Sequence, residues 1–262
     1  MKPFSHEYTV AVLGGHLMLW HDSQVLLLDT GSPVSIGRGP TWRFLGRDFP
    51  LESSYNGMTT EVLSETLSTQ IDVLLGADVL AQFRVTIDTE TGLVAFGDDE
   101  WLAGARVLPL HTVGGLPVVD VTLAGRSRRM LLHTGATVSC LASRDTEPYP
   151  CVGTARDLYP GLGEFATEVH VVPITFGSHT DELECGSLPM ALERALLSVG
   201  VHGLVGTNLL RSFKLGWSPG FHEMRLLRHT AAVALSGDSA ASPVPGSSVR
   251  STSASSAPRS RR

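Results

Sequence analysis

Short apolar runs, each closed by a glycine, a proline or a small polar cluster, recur along the whole chain and predict many short strands rather than long helices. In the first half, residues 16–20 and 24–28 are apolar around a polar turn. In the second, residues 116–123 and 129–132 flank the turn Gly125-Arg126-Ser127 in the same way. Strict alternation in Arg84-Val85-Thr86-Ile87 and in Glu168-Val169-His170-Val171 marks strands with one buried face. One segment breaks the pattern. Leu188, Leu192, Leu196 and Val199 fall at helical spacing, so a helix is expected within 187–199, with Ser187 as its cap.

The runs are organised as a duplication. Leu26-Leu27-Leu28-Asp29-Thr30-Gly31-Ser32 is matched by Met130-Leu131-Leu132-His133-Thr134-Gly135-Ala136. Downstream, Val73-Leu74-Leu75-Gly76-Ala77-Asp78 is matched by Gly203-Leu204-Val205-Gly206-Thr207-Asn208. Each of these predicts a buried strand, a tight bend and a short helix capped by Asp78 or Asn208. A strand pair follows in both halves, at 84–88 with 92–96 and at 214–217 with 224–227. His133 follows Asp29 by 104 residues and Gly206 follows Gly76 by 130, so the second copy holds 26 extra residues, assigned in part to the 187–199 helix. The expected organisation is a lobe over residues 1–104, a second lobe over 105–232, and a disordered Ser-, Pro- and Arg-rich tail over 233–262.

Composition adds limits. With 262 residues, 42% apolar and 18% charged, the chain can bury a real core, and its 27 Gly and 15 Pro suit frequent turns. The net charge is −6, and removing the tail's four Arg and one Asp (net +3) leaves −9 on the body. That sign speaks against a nucleic-acid partner. Three cysteines (140, 151, 185), odd in number and without a CxxC spacing, speak against a disulfide framework and against a zinc site. No apolar run approaches the ~20 residues of a membrane span, and residues 1–8 lack the apolar core of a signal peptide. A cytoplasmic protein without a membrane partner is expected.

An apolar strand entering Asp29-Thr30-Gly31-Ser32, then two apolar residues and a glycine heading a short helix, resembles the aspartic peptidases of the retropepsin and pepsin type. Both halves carry the pattern, over about residues 8–230, in the manner of a single-chain, two-lobed member. The resemblance implies an all-β acid-protease fold of two closed β-barrel lobes related by a pseudo-twofold axis. It implies a peptide or protein substrate in the interlobe cleft, no cofactor and no metal, and a monomer with an internal pseudo-dimer. It assigns loop support to Thr30, Gly31, Ser32, Thr134 and Gly135: the threonines tie the loops together, the glycines allow close approach, and Ser32 binds the first carboxylate. The family's two carboxylates share one proton because both cannot ionise at close range.

His133 departs from that pattern, and three readings fit the residues. Asp29 and His133 form a working pair, with the imidazole pKa raised and the carboxyl pKa lowered by their proximity. Alternatively, the cleft persists without catalysis and serves as a peptide-binding or regulatory module. In the third reading, Asp29 acts with an Asp from another copy.

A β-hairpin flap covers the substrate in relatives. The first is expected at residues 52–58, with Asn56-Gly57 as its turn and Tyr55 near the cleft, and a second at residues 160–165. Along the chain, His111, His170, His179, His202, His222 and His229 show no metal-ligand spacing, and Cys140 reads as a small core residue.

Overall fold

Residues 5–97, 102–159 and 163–229 are described by a computed structural model. The tail expected to be disordered lies outside the described residues, as do residues 160–162 of the expected second flap. In the first half the strands are β1 (Ser5–Leu13), β2 (His16–His21), β3 (Gln24–Leu28), β4 (Ile36–Gly37), β5 (Thr41–Phe44), β6 (Arg47–Pro50), β7 (Val73–Leu75), β8 (Val85–Asp88) and β9 (Leu93–Gly97), with helices α1 (Thr60–Leu67) and α2 (Ala77–Leu80). In the second half they are β10 (Arg106–Val113), β11 (Leu116–Leu123), β12 (Arg126–Leu132), β13 (Ser139–Leu141), β14 (Cys151–Tyr159), β15 (Gly163–Phe176), β16 (His179–Ser187), β17 (Gly203–Val205), β18 (Phe213–Trp217) and β19 (Glu223–Arg228), with α3 (Ser143–Thr146) and α4 (Met190–Ser198).

The two halves are wired alike. β1 pairs with β2 and β2 with β3, while β3 runs parallel to β7 and β4 antiparallel to it. β10, β11, β12, β17 and β13 repeat these pairings with the same directions. The halves then share one six-stranded sheet in the order β1-β9-β8-β18-β19-β10. At its centre Thr86 lies opposite Gly216, two positions equivalent under the 130-residue offset, so the pseudo-twofold axis passes between them. The described residues form an all-β fold with a few short helices, in two halves of matching strand order. Among the described residues no helix is long and apolar enough to cross a membrane.

β3 and β12 end in unbroken apolar runs, Leu26-Leu27-Leu28 and Met130-Leu131-Leu132, because these residues are buried on both faces. Leu26, Leu28, Met130 and Leu132 join the main core, whereas Leu27 packs with Met18, Leu63 and Leu74, and Leu131 with Leu188, Leu192 and Leu204. Helices α1 and α4 therefore cover equivalent outer faces, and each fully buried leucine contributes about 1.5–3 kcal/mol.

This arrangement corrects three expectations. The 187–199 helix is not the source of the extra residues, because α1 is its counterpart in the first half. The excess lies in the three-stranded run β14–β15–β16, where the first half has only the short β5–β6 hairpin. Nor does Ser187 cap α4. The helix begins after Pro189, and Ser187 ends β16 with its hydroxyl 2.8 Å from that of Thr146. Asp78 and Asn208 do not cap their helices either. Gly76 and Gly206 occupy the cap positions. The two polar side chains instead accept the hydroxyls of Ser35 (2.7 Å) and Ser139 (2.9 Å), which lie just beyond the Asp29 and His133 turns.

Candidate active site

β3 and β12 each end in a loop held by the neighbouring parallel strand. Asp29 N–H donates to Leu75 O and His133 N–H to Val205 O, both at 2.9 Å. Ala77 N–H then returns to Ser32 O (2.7 Å) and Thr207 N–H to Ala136 O (2.9 Å), closing each loop on itself.

The loops are joined to one another through their threonines. Thr30 N–H donates to Thr134 Oγ1, and Thr134 N–H donates to Thr30 Oγ1, both at 3.0 Å. The same hydroxyls donate onward to Leu132 O (2.5 Å) and Leu28 O (2.9 Å). All four bonds are buried, so each group would be costly to leave unpaired.

This lock brings Asp29 and His133 together, with His133 Nδ1 3.0 Å from Asp29 Oδ1. The side chains are only 11% and 8% exposed. Gly31 N–H also donates to Asp29 Oδ1 (2.8 Å). In the equivalent position Gly135 N–H points at His133 Nδ1 (3.2 Å), which has no lone pair to offer once its proton faces the carboxylate. The hydrogen bonds and the ion pair at the site use Asp29 Oδ1 and His133 Nδ1, and leave Asp29 Oδ2 and His133 Nε2 as the second atom of each group.

Gly31 and Gly135 serve close approach rather than turn strain, since neither adopts a positive φ. A Cβ on Gly31 would stand 2.2 Å from His133 Nδ1, and one on Gly135 would stand 2.4 Å from Asp29 Cγ. Each loop thus leaves room for the other's functional side chain.

Burial pushes the Asp29 pKa up, but the His133 charge, the hydrogen bond from His133 and the Gly31 N–H outweigh it and hold the carboxyl below its usual range. Burial pushes His133 down, and the Asp29 charge and hydrogen bond, aided by Asp157, raise it above the usual imidazole range. Both shifts favour a carboxylate beside an imidazolium.

Ser32 departs from the expected role. Its hydroxyl donates to Val34 O (2.7 Å) rather than to Asp29. Its single proton is used within its own turn, while Asp29 Oδ1 already receives Gly31 N–H and faces His133. Around Asn56 (φ 48°) and Gly57 (φ 78°) the chain makes the expected tight turn, and Tyr55 and Met58 exchange two backbone hydrogen bonds at 2.9 Å. It is a bare turn packed on the outer core of the first half, without long flanking strands. Cys140 is buried in the core, and burial pushes its thiol up to about 12.

Three further residues enter the site without having been singled out in the sequence. Tyr159, at the end of β14, meets the His133 ring edge-on with centroids 6.5 Å apart. Its pKa is raised by burial first, then by the charges of Tyr55 and Asp29. Each tyrosine directly precedes a turn dipeptide, Asn56-Gly57 or Pro160-Gly161, a parallel that was available in the sequence. His16 is buried, which lowers its pKa, while Asp157, Asp29 and the Gly135 backbone pull the other way. Asp157 accepts Thr137 N–H at 3.1 Å and so braces the exit of the second loop. Nothing in the local sequence marks either residue, because both reach the site from other strands.

No family model matches this sequence, and no curated protein matches it. Among solved structures, the chain is similar to the aspartic proteinase from Irpex lacteus, at 13% identity with a TM-score of 0.47, covering 88% of this chain and 99% of that one. It is also similar to a retropepsin-like aspartic protease from Rickettsia conorii, at 14% identity with a TM-score of 0.34, covering 47% of this chain and 89% of that one. Neither likeness says what the Asp29–His133 pair does.

Proposed function

We propose that the chain is an aspartic-type endopeptidase-like hydrolase that cleaves peptide bonds with water activated at the Asp29–His133 pair. The observation that carries this reading is the pair itself, a carboxylate and an imidazole 3.0 Å apart. In the proposed cycle Asp29 Oδ2 takes a proton from a water as its oxygen bonds to the scissile carbonyl carbon. The oxyanion that forms lies against the imidazolium Nε2–H. When the C–N bond breaks, that proton goes to the leaving amine. The proton held by Asp29 then returns to His133, which restores the starting state without a covalent intermediate. Tyr55 and Tyr159 would close over a peptide strand, and both halves of the site come from one chain, so a monomer suffices.

A second reading, a catalytically silent peptide-binding module, is favoured by one contact. Gly135 N–H, a donor suited to a carboxylate, faces a ring nitrogen already committed to Asp29. Incubating the purified protein with a mixed peptide library from about pH 4 to pH 8 separates the two. The hydrolase reading predicts cleavage that Asp29→Asn abolishes. Absence of cleavage at every pH, or cleavage untouched by Asp29→Asn, would refute it.

A further inference from the structure

Chain spacing suggests no metal-ligand set, yet folding gathers Cys151, Glu168 and His170 at the base of the β14–β15 hairpin, with their ligand-type atoms all within 4.8 Å of one another. Cys151 lies directly opposite His170 across the two strands. Glu168 is two residues before His170, so all three side chains leave the same face of the ribbon.

The histidine is the fixed point. Its side chain is only 8% exposed, and its Nδ1 lies 2.9 Å from the Tyr149 carbonyl oxygen. The carbonyl can only accept, so Nδ1 carries the proton and Nε2 presents its lone pair toward Glu168, whose Oε2 is 4.0 Å away. A histidine held through its second nitrogen by a backbone carbonyl is the arrangement that orients metal-binding imidazoles. Cys151 is a free, exposed thiol, and Glu168 is exposed, so both can swing onto a cation while His170 stays in place.

The other three-residue set, Asp88, Glu90 and His229, is already answered within the protein. Asp88 holds Lys214 at 2.6 Å, and His229 spans Glu90 and the Leu210 carbonyl, both at 2.9 Å.

We propose that Cys151, Glu168 and His170 bind a zinc-like divalent cation. Thiolate and carboxylate together neutralise the 2+ charge, and sulfur, nitrogen and oxygen are the donors such a borderline ion prefers. A tetrahedral site needs its donor atoms roughly 3.3–3.6 Å apart, a contraction that the two exposed side chains supply. The fourth position is left for water or an outside ligand. Because Cys151 and Tyr159 are the two ends of β14, a cation here would pin the far end of the strand whose Tyr159 meets the His133 ring. The site does not depend on the hydrolase reading.

The test uses full-length, reduced protein freed of metals by chelation, with Co2+ and Zn2+ as probes. Co2+ should give a near-ultraviolet thiolate charge-transfer band that Zn2+ displaces and that Cys151→Ser removes. Cys140 and Cys185 are buried, so an aromatic disulfide reagent reads Cys151 in the native protein, and Zn2+ should slow that reaction roughly tenfold or more. Glu168→Gln, an exposed change that leaves the fold intact, should weaken Zn2+ binding by about tenfold or more, and His170→Asn should weaken it further. No charge-transfer band, a band that survives Cys151→Ser, or protection unaffected by Glu168→Gln would overturn the site.

Discussion

Replacing His133 by Asp restores a double-carboxylate pair in a loop whose Gly135 N–H is already placed to donate to it. The wild-type contact is 3.0 Å, so two carboxylates would meet at about the same separation. At an effective dielectric constant of ~20, two unit charges roughly 3–4 Å apart repel by about 4–5.5 kcal/mol, equivalent to three or four pKa units. Burial acts in the same direction, and one proton is held between the two groups well above the usual carboxylate range. A group whose folded pKa is raised stabilises the fold below its unfolded pKa of about 3.9, and that contribution is lost as pH rises through the folded value. In the wild type Asp29 is lowered and His133 raised. The Asp29 contribution is present above its unfolded pKa of about 3.9, and that of His133 is complete below about 6.5, so the pair stabilises fully between those limits. The variant should therefore weaken by up to roughly 4 kcal/mol relative to wild type on going from about pH 4 to pH 8. Urea unfolding across that range gives the difference directly, and any peptide hydrolysis should shift toward acid. Stability–pH curves that run parallel for the two proteins would refute the electrostatic reasoning.

Two further substitutions probe the frame around the pair. Thr134→Val keeps the shape but leaves Thr30 N–H and Leu28 O buried without partners. Urea unfolding should show a loss of roughly 2–5 kcal/mol, and a loss below about 0.5 kcal/mol would mean the threonine lock is not structural. Gly135→Ala puts a Cβ 2.4 Å from Asp29 Cγ, so the carboxylate must move away from His133. Its Tm should fall and any hydrolysis should disappear; a variant with wild-type Tm and rate would contradict the close approach of the two loops.

Much of this frame was legible in the sequence, for identifiable reasons. The unbroken Leu26-Leu27-Leu28 run marks a strand buried on both faces, and its repetition at Met130-Leu131-Leu132 reveals the second copy. The matched landmarks by themselves put Asp29 and His133 at equivalent loop positions. Helix α1 was missed because it is only eight residues long and buries just Thr60 and Leu63. Without α1 as its counterpart, the 187–199 helix takes part of the 26 extra residues that belong to the β14–β15–β16 run. Capping by Asp78 and Asn208 was misjudged because a propensity rule sees only the following turn, whereas Ser35 and Ser139 arrive from 43 and 69 residues away. His16 and Asp157 reach the site through strand packing, which carries no local sequence signal. The Cys151, Glu168 and His170 grouping was hidden for a similar reason, since strand register and not chain spacing brings Cys151 opposite His170.

The most direct measurement is an NMR titration of the His133 imidazole in the wild type and in Asp29→Asn. With the carboxylate beside it, His133 should titrate above the ordinary histidine value of about 6.5. Without that charge, burial is left largely unopposed and the value should fall. A wild-type His133 that titrates at or below the ordinary value, unchanged by Asp29→Asn, would contradict the existence of the charged pair.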